Sequence, residues 1–201
     1  MENNNKLQSD ISRLSDSPVI SGIRMELYMS MYEIAKQHKD KAIEAASHNN
    51  LDYMKNEIDE SMISLLFSYT CLEAYINTIG MDRLGKDWTR YEGKNISTEA
   101  KWIGISNALA SKKYGKPYSI FKKRLEPFKS FLFLKAIREE YIVHRKAQFG
   151  KGVPTNYGNV EGTITILNHN NAEMACNVVR EMVIKLHDNI DNPPPIVWLN
   201  R

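Results

Sequence analysis

Arg138 and His144 stand six residues apart in the stretch AIREEYIVHRKAQF. These two residue types suit cleavage of a phosphodiester without a metal. An imidazole, with an ordinary pKa of about 6.5, can take up or release a proton near neutrality. A guanidinium presents a rigid fork of donors to phosphate oxygens and to the charge that develops on them in the transition state. Where the substrate is RNA, its own 2′-hydroxyl can be the nucleophile. On an α-helix six steps separate the two side chains by about 120° around the axis and about 9 Å along it. They do not stack, although a long arginine can still reach the edge of a shared groove. Two copies related by a two-fold axis would bring both pairs into one cleft, because such an interface uses the same patch twice. The same residues allow a plainer reading, in which Arg138 pairs with Glu73 or a neighbouring acid and His144 simply ends a helix.

Charge points in the same direction as the pair. Between Ser111 and Lys151 the chain carries twelve Lys or Arg and three acids, Glu126, Glu139 and Glu140. The whole chain has 27 basic and 24 acidic residues, a net charge of +3, so everything outside this segment is net acidic. A basic stretch in an acidic chain suggests a surface that faces a polyanion. Lys112, Lys113, Lys122, Lys123 and Lys146 are its candidate RNA contacts. Tyr114, Tyr118 and Phe121 interleave with the lysines, as a stacking platform for bases does. The alternative is a solvated helix face whose aromatics point into a core.

Other chemistry is sparse. The sequence has no Gly-rich phosphate loop after a strand, no HExxH, no CxxC pair and no GxSxG. His38 and His48 read as surface residues, His169 lies by a helix start, and His187 falls in a last helical turn, where a cation is favoured. Glu57, Asp59 and Glu60 read as a solvated helix face rather than a metal site. Two cysteines, Cys71 and Cys176, exclude a disulfide scaffold and a four-cysteine zinc site, and read as buried thiols of a reducing compartment. No cofactor and no metal are expected.

The elements that must position the pair are helices. Residues 1–17 read as a flexible tail, followed by a single domain over 18–190 and a Pro-rich tail over 191–201. Helical spacing of apolar residues runs from Val19 to about Ser47 and again from 51 to about 79, where Gly80 and Gly85 fit an end. Residues 81–96 read as a linker. Ser97 caps a short helix through about Ala110, with Glu99 in its first turn. Pro127 starts or kinks a long helix that should reach about Gln148, where Gly150, Gly152 and Pro154 stop it. VEGTITIL, over 160–167, reads as a short extended segment, and Asn170 with Glu173 as a capping box for a last helix over about Asn171–Asn189. The predicted fold is all-α, a bundle of four to five main helices whose apolar stripes cover one another.

Length and composition agree. The 201 residues are 42% hydrophobic and 25% charged, enough for one globular core and too apolar for a disordered chain. The N-terminus lacks the pattern of a signal or transit peptide, and no stretch approaches the roughly 20 apolar residues of a membrane span. A cytoplasmic protein without a membrane partner is expected.

Taken together, Arg138-Glu139-Glu140-Tyr141-Ile142-Val143-His144 resembles the motif of HEPN-domain ribonucleases, an Arg followed after four to six residues by His on a late helix. The apolar pair Ile142-Val143 precedes the His and Arg145-Lys146 follow it. SLLFSYTCLEAYINTIG, Ser64 to Gly80, resembles a helix of HEPN-like bacterial proteins with a Leu-Glu-Ala core, and places Glu73 and Asn77 at the edge of its apolar stripe. The likeness extends in helix order over roughly 20–190. It departs at Glu139, where the family usually carries a small polar residue, most often Asn. The resemblance implies a metal-independent, homodimeric endoribonuclease of the toxin or phage-defence kind, acting on RNA and paired with an antitoxin or defence-system protein. Arg138 would hold the scissile phosphate and His144 would be the general acid or base, with Glu139, Tyr141, Arg145, Glu73 and Asn77 in support. The competing reading is a non-catalytic HEPN-like module for dimerisation and for binding a partner or nucleic acid.

Overall fold

The computed structural model describes residues 18–48, 50–93, 95–143, 153–155, 158–160, 166–190, 193 and 196–199. It is an all-α helical bundle, as the apolar periodicity predicts. Helix α1 (Pro18–Ala46) and helix α2 (Leu51–Leu84) form an antiparallel hairpin. Asn50 starts α2: its backbone is extended and its side chain accepts from the Tyr53 N–H at 3.0 Å, satisfying one of the first turn's free donors. At 34 residues α2 is about 50 Å long. Every other major element packs against it.

Helix α2 runs beyond the expected 79 to Leu84, and Gly85 caps it. Gly80 does not end the helix but serves packing. A Cβ there would lie 2.5 Å from the Trp88 ring and 2.9 Å from Ile105, so only glycine lets the following 3-10 turn (Gly85–Arg90) fold back onto α2. The expected linker is therefore partly helical. Helix α3 (Thr98–Tyr114) starts at Ser97, whose hydroxyl accepts from the Ala100 N–H at 3.2 Å. It continues a turn past Ala110 and ends where Gly115 takes a left-handed conformation (φ 65°) that a side chain would strain.

Helix α4 (Phe128–Ile137) buries Phe128, Phe131, Leu132 and Leu134. It does not continue as an α-helix. Arg138–Val143 form a π-helical turn, with Tyr141 buried on its inner side. Within Arg138–Val143, i→i+5 bonding changes the phase of successive side chains from that of an α-helix, and residue 144 lies outside the described residues. A β-hairpin pairs Val153–Thr155 with Gly158–Val160. Of the expected extended segment over 160–167, Val160 ends the second strand, Ile166 and Leu167 are not in a strand, and 161–165 lie outside the described residues.

Helix α5 (His169–Asn189) runs parallel to α2 and packs on it and on α1. Its cap is Asn168 rather than Asn170, since Asn168 accepts from the Asn171 N–H at 3.0 Å. Glu173 is exposed and closes no box. His187 lies in the last turn of α5, as expected, but inside the bundle. It is 4% exposed and shares a hydrogen bond with the Tyr75 hydroxyl. Two acids read as solvated also have partners. Glu60 holds His38 of α1, and Glu57 holds His169 at 2.7 Å, so both fasten α2 to its neighbours. His48 is exposed and stacks on Tyr53. Both cysteines are buried free thiols, and burial pushes them well above the ordinary thiol pKa. In the short helix α6 (Ile196–Leu199), Trp198 is buried against Tyr28, Tyr32 and Tyr75. Among the described residues no helix is long and apolar enough to cross a membrane.

Candidate functional site

Tyr69, Glu73 and Asn77 recur every four residues along α2, so they form one row on its surface. Helix α3 runs parallel to that row and α4 runs antiparallel to α3. Each member of the row meets a polar group from a neighbour. The Thr98 hydroxyl donates to Glu73 Oε1 at 3.0 Å, and Lys101 Nζ donates to Asn77 Oδ1 at 3.0 Å. Thr98 also lowers the Tyr69 pKa, which sets its hydroxyl near the Tyr69 phenol as well as on Glu73.

Arg138 closes the seam. Its guanidinium carbon lies 4.8 Å from the centre of the Tyr69 ring, a cation–π contact worth roughly 0.5–2 kcal/mol depending on desolvation. Its Nε is buried and has no hydrogen-bond partner among the described residues. No carboxylate among them forms an ion pair with it, so the expected alternative pairing with Glu73 is not what holds Arg138 in place. Burial raises the Tyr69 pKa. The nearby Thr98 hydroxyl opposes that, Glu73 adds to it, Arg138 opposes it and Glu139 adds to it. The phenol is therefore a neutral hydroxyl at physiological pH.

Glu99 anchors the rim. It accepts from Lys123 Nζ at 2.8 Å and from Lys135 Nζ at 3.0 Å, and Lys135 also reaches Glu139 at 4.0 Å. Burial works to raise the Glu99 pKa, but the two ammonium groups outweigh it, and the net shift is downward.

The structure thus brings together Arg138, Glu73 and Glu139 around Tyr69, with Asn77 one turn further along α2. Tyr141 points into the core, and burial raises its pKa. Lys123 joins the rim through Glu99. Lys112 and Lys113 lie elsewhere, at the far end of α3, about 20 Å along its axis from Thr98. Lys122 is exposed in the intervening loop. His144, Arg145 and Lys146 lie outside the described residues. The sequence reading missed Tyr69, Thr98 and Lys135 as site residues. The i,i+4 row that includes Glu73 and Asn77 already contained Tyr69, whose apolar neighbours gave it the look of a core residue. Among the described residues no group of three His, Cys, Asp or Glu could hold a metal ion.

Chemically, the seam displays a half-buried cation over a ring, together with two hydroxyls, of Tyr69 and Thr98, and three carboxylates, Glu73, Glu99 and Glu139. Such a cation can accept an anion without first breaking an ion pair. The adjacent carboxylates oppose that anion unless lysines neutralise them, as Lys123 and Lys135 do for Glu99. Comparison of the chain with protein-family models, with characterised proteins and with solved structures gave no match.

Proposed function

We propose that the chain is a metal-independent endoribonuclease of the HEPN type, acting in the cytoplasm as a homodimer and serving as a toxin or phage-defence effector. One observation supports this reading above the rest: the guanidinium of Arg138, at the head of the Arg138–His144 spacing, rests on Tyr69 and is not paired with any described carboxylate. In this mechanism Arg138 holds the non-bridging oxygens of the scissile phosphate and stabilises the charge that grows on them. An imidazole acting as base removes the proton from the 2′-hydroxyl, whose oxygen attacks phosphorus. The 5′-oxygen leaves with a proton supplied by an imidazole acting as acid, and the products are a 2′,3′-cyclic phosphate and a 5′-hydroxyl. A two-fold dimer would supply one His144 for each role. An antitoxin or defence-system protein would hold the activity in check.

A specific feature favours a second reading, a non-catalytic module that dimerises and binds a partner or nucleic acid. Glu139 and Glu140 follow Arg138 directly, and Glu140 Oε2 is buried without a hydrogen-bond partner among the described residues. In that case Arg138 serves only to pack on Tyr69.

The test is incubation of single-stranded RNAs and tRNA with the protein in EDTA. The nuclease reading expects cleavage by wild type and losses of about 100-fold or more in both Arg138→Ala and His144→Ala. Equal cleavage by wild type and His144→Ala, or none by folded wild type, favours the module. Sedimentation gives the oligomeric state, and a strict monomer removes the shared cleft.

A further inference from the structure

We propose that the C-terminal end of α3 is a docking track for single-stranded RNA, in which Arg83, Lys112 and Lys113 hold phosphates and Tyr114 and Tyr118 stack a base. The choice of RNA among polyanions rests on the nuclease reading, whereas the track itself rests on the following geometry.

A groove of about 300 Å³ opens between the end of α2 and the end of α3. It is lined by Arg83, Lys112 and Lys113, with Leu109 and Ile190 as its floor. A second groove of about 300 Å³ shares Arg83 and Lys112 and adds Arg90. Asp87 is the single acid among the described lining residues of the two, and it lies 3.4 Å from Arg90. Arg83, Lys112 and Lys113 are all exposed, so they meet a phosphate without a large desolvation cost.

Beside this groove stand two aromatic rings that the core does not use. Tyr114 and Tyr118 are 40% and 37% exposed, with ring centroids 4.6 Å apart. Phe121, from the same loop, is 3% exposed and packs edge-on against Trp102. The loop therefore sorts its aromatics, one into the core and two to the surface. The position of Tyr118 is built in. Its N–H donates to Ser111 Oγ at 3.0 Å, and two residues later the Ile120 N–H donates to Asn107 Oδ1 at 3.2 Å, strapping the loop back along α3. Lys113 joins the two halves, for it lines the groove while its ammonium lies 5.3 Å from the Tyr114 ring centre.

Cations that follow a backbone beside exposed rings make up a single-strand site, because stacking needs an unpaired base and a duplex does not offer one. An acidic protein would satisfy the cations but would not use the rings.

The experiment measures binding of a labelled single-stranded RNA of about 12 nucleotides to the full-length His144→Ala protein, by fluorescence anisotropy, over roughly 50–200 mM salt. Using this variant separates binding from cleavage, so a failure of the nuclease reading leaves the measurement intact. Joint Tyr114→Ala and Tyr118→Ala substitution should weaken binding about tenfold with an unchanged salt slope, and should have no effect on an abasic strand of equal charge. Joint Lys112→Ala and Lys113→Ala substitution should weaken binding about tenfold and flatten the salt slope. The proposal is overturned if the tyrosine variant binds RNA as wild type does. It is equally overturned if duplex RNA or polyglutamate of the same length binds as tightly as the single strand.

Discussion

The two ends of α3 carry similar residue types in opposite circumstances. At its N-terminal end, charges are packed and matched: Glu99 is 14% exposed with Lys123 and Lys135 on it, Thr98 bonds Glu73, and Arg138 lies against Tyr69. At its C-terminal end Lys112 and Arg83 are exposed around grooves whose described lining holds a single acid, Asp87. A charge whose partner is buried with it belongs to the fold, and its loss leaves that partner stranded. A charge facing water costs the fold little and remains available to a ligand. Substitutions at the first end should therefore register in stability, and those at the second in binding.

The sharpest contrast comes from Glu99→Ala. It takes from Lys135, only 15% exposed, its carboxylate partner at 3.0 Å and leaves the more distant Glu139, and should lower unfolding free energy by about 2 kcal/mol in urea denaturation. A loss under about 0.5 kcal/mol would erase the difference between the two ends. Glu99 also sets a pH dependence. Its folded pKa lies below the ordinary value of 4.5, so its contribution is complete above that value and is lost as pH falls through the folded value. The stability gap between wild type and Glu99→Gln should thus close on acidification below about 4.5; a gap that widens there contradicts the assignment.

Thr98→Val is expected to cost about 1 kcal/mol, because Glu73 loses a hydrogen-bond donor in a part-buried setting. Thermal melts of this variant beside Glu73→Gln show whether the pair acts as a unit: the double variant should lose less than the sum of the singles.

Smallest in stability is Lys112→Ala, which should shift unfolding by no more than about 0.5 kcal/mol. The same variant should reduce the salt slope of RNA binding by about one. A destabilised but normally binding Lys112→Ala would invert the comparison.

What the sequence reveals follows the same division. The Ser97 cap, the buried thiols and the apolar stripes of α1, α2 and α5 are local patterns, and the helical bundle follows from them. The partners of His187, His38 and His169 are not local. Tyr75, Glu60 and Glu57 stand far away in sequence, and burial of a histidine depends on which helix is laid over it. Asn168 rather than Asn170 caps α5 because the chain direction at that point, and not residue type, selects between two asparagines. The π turn at Arg138 is not legible in the pattern either. REEYIV carries no breaker, and nothing in the pattern distinguishes i→i+5 from i→i+4 bonding. Of the candidate site, Arg138, Glu73 and Glu139 are each picked out in the sequence by residue type and position, but their meeting around Tyr69 is not local. The Tyr69 ring beneath the guanidinium is not picked out, because an aromatic on an apolar stripe looks the same whether it fills a core or carries a cation.

The most direct test of the central claim is RNA cleavage in EDTA by wild type beside Arg138→Ala and His144→Ala. The account predicts cleavage products bearing 2′,3′-cyclic phosphate from wild type, and a loss of about 100-fold or more in each variant. Undiminished cleavage in either variant, or no cleavage by folded wild type, would contradict it.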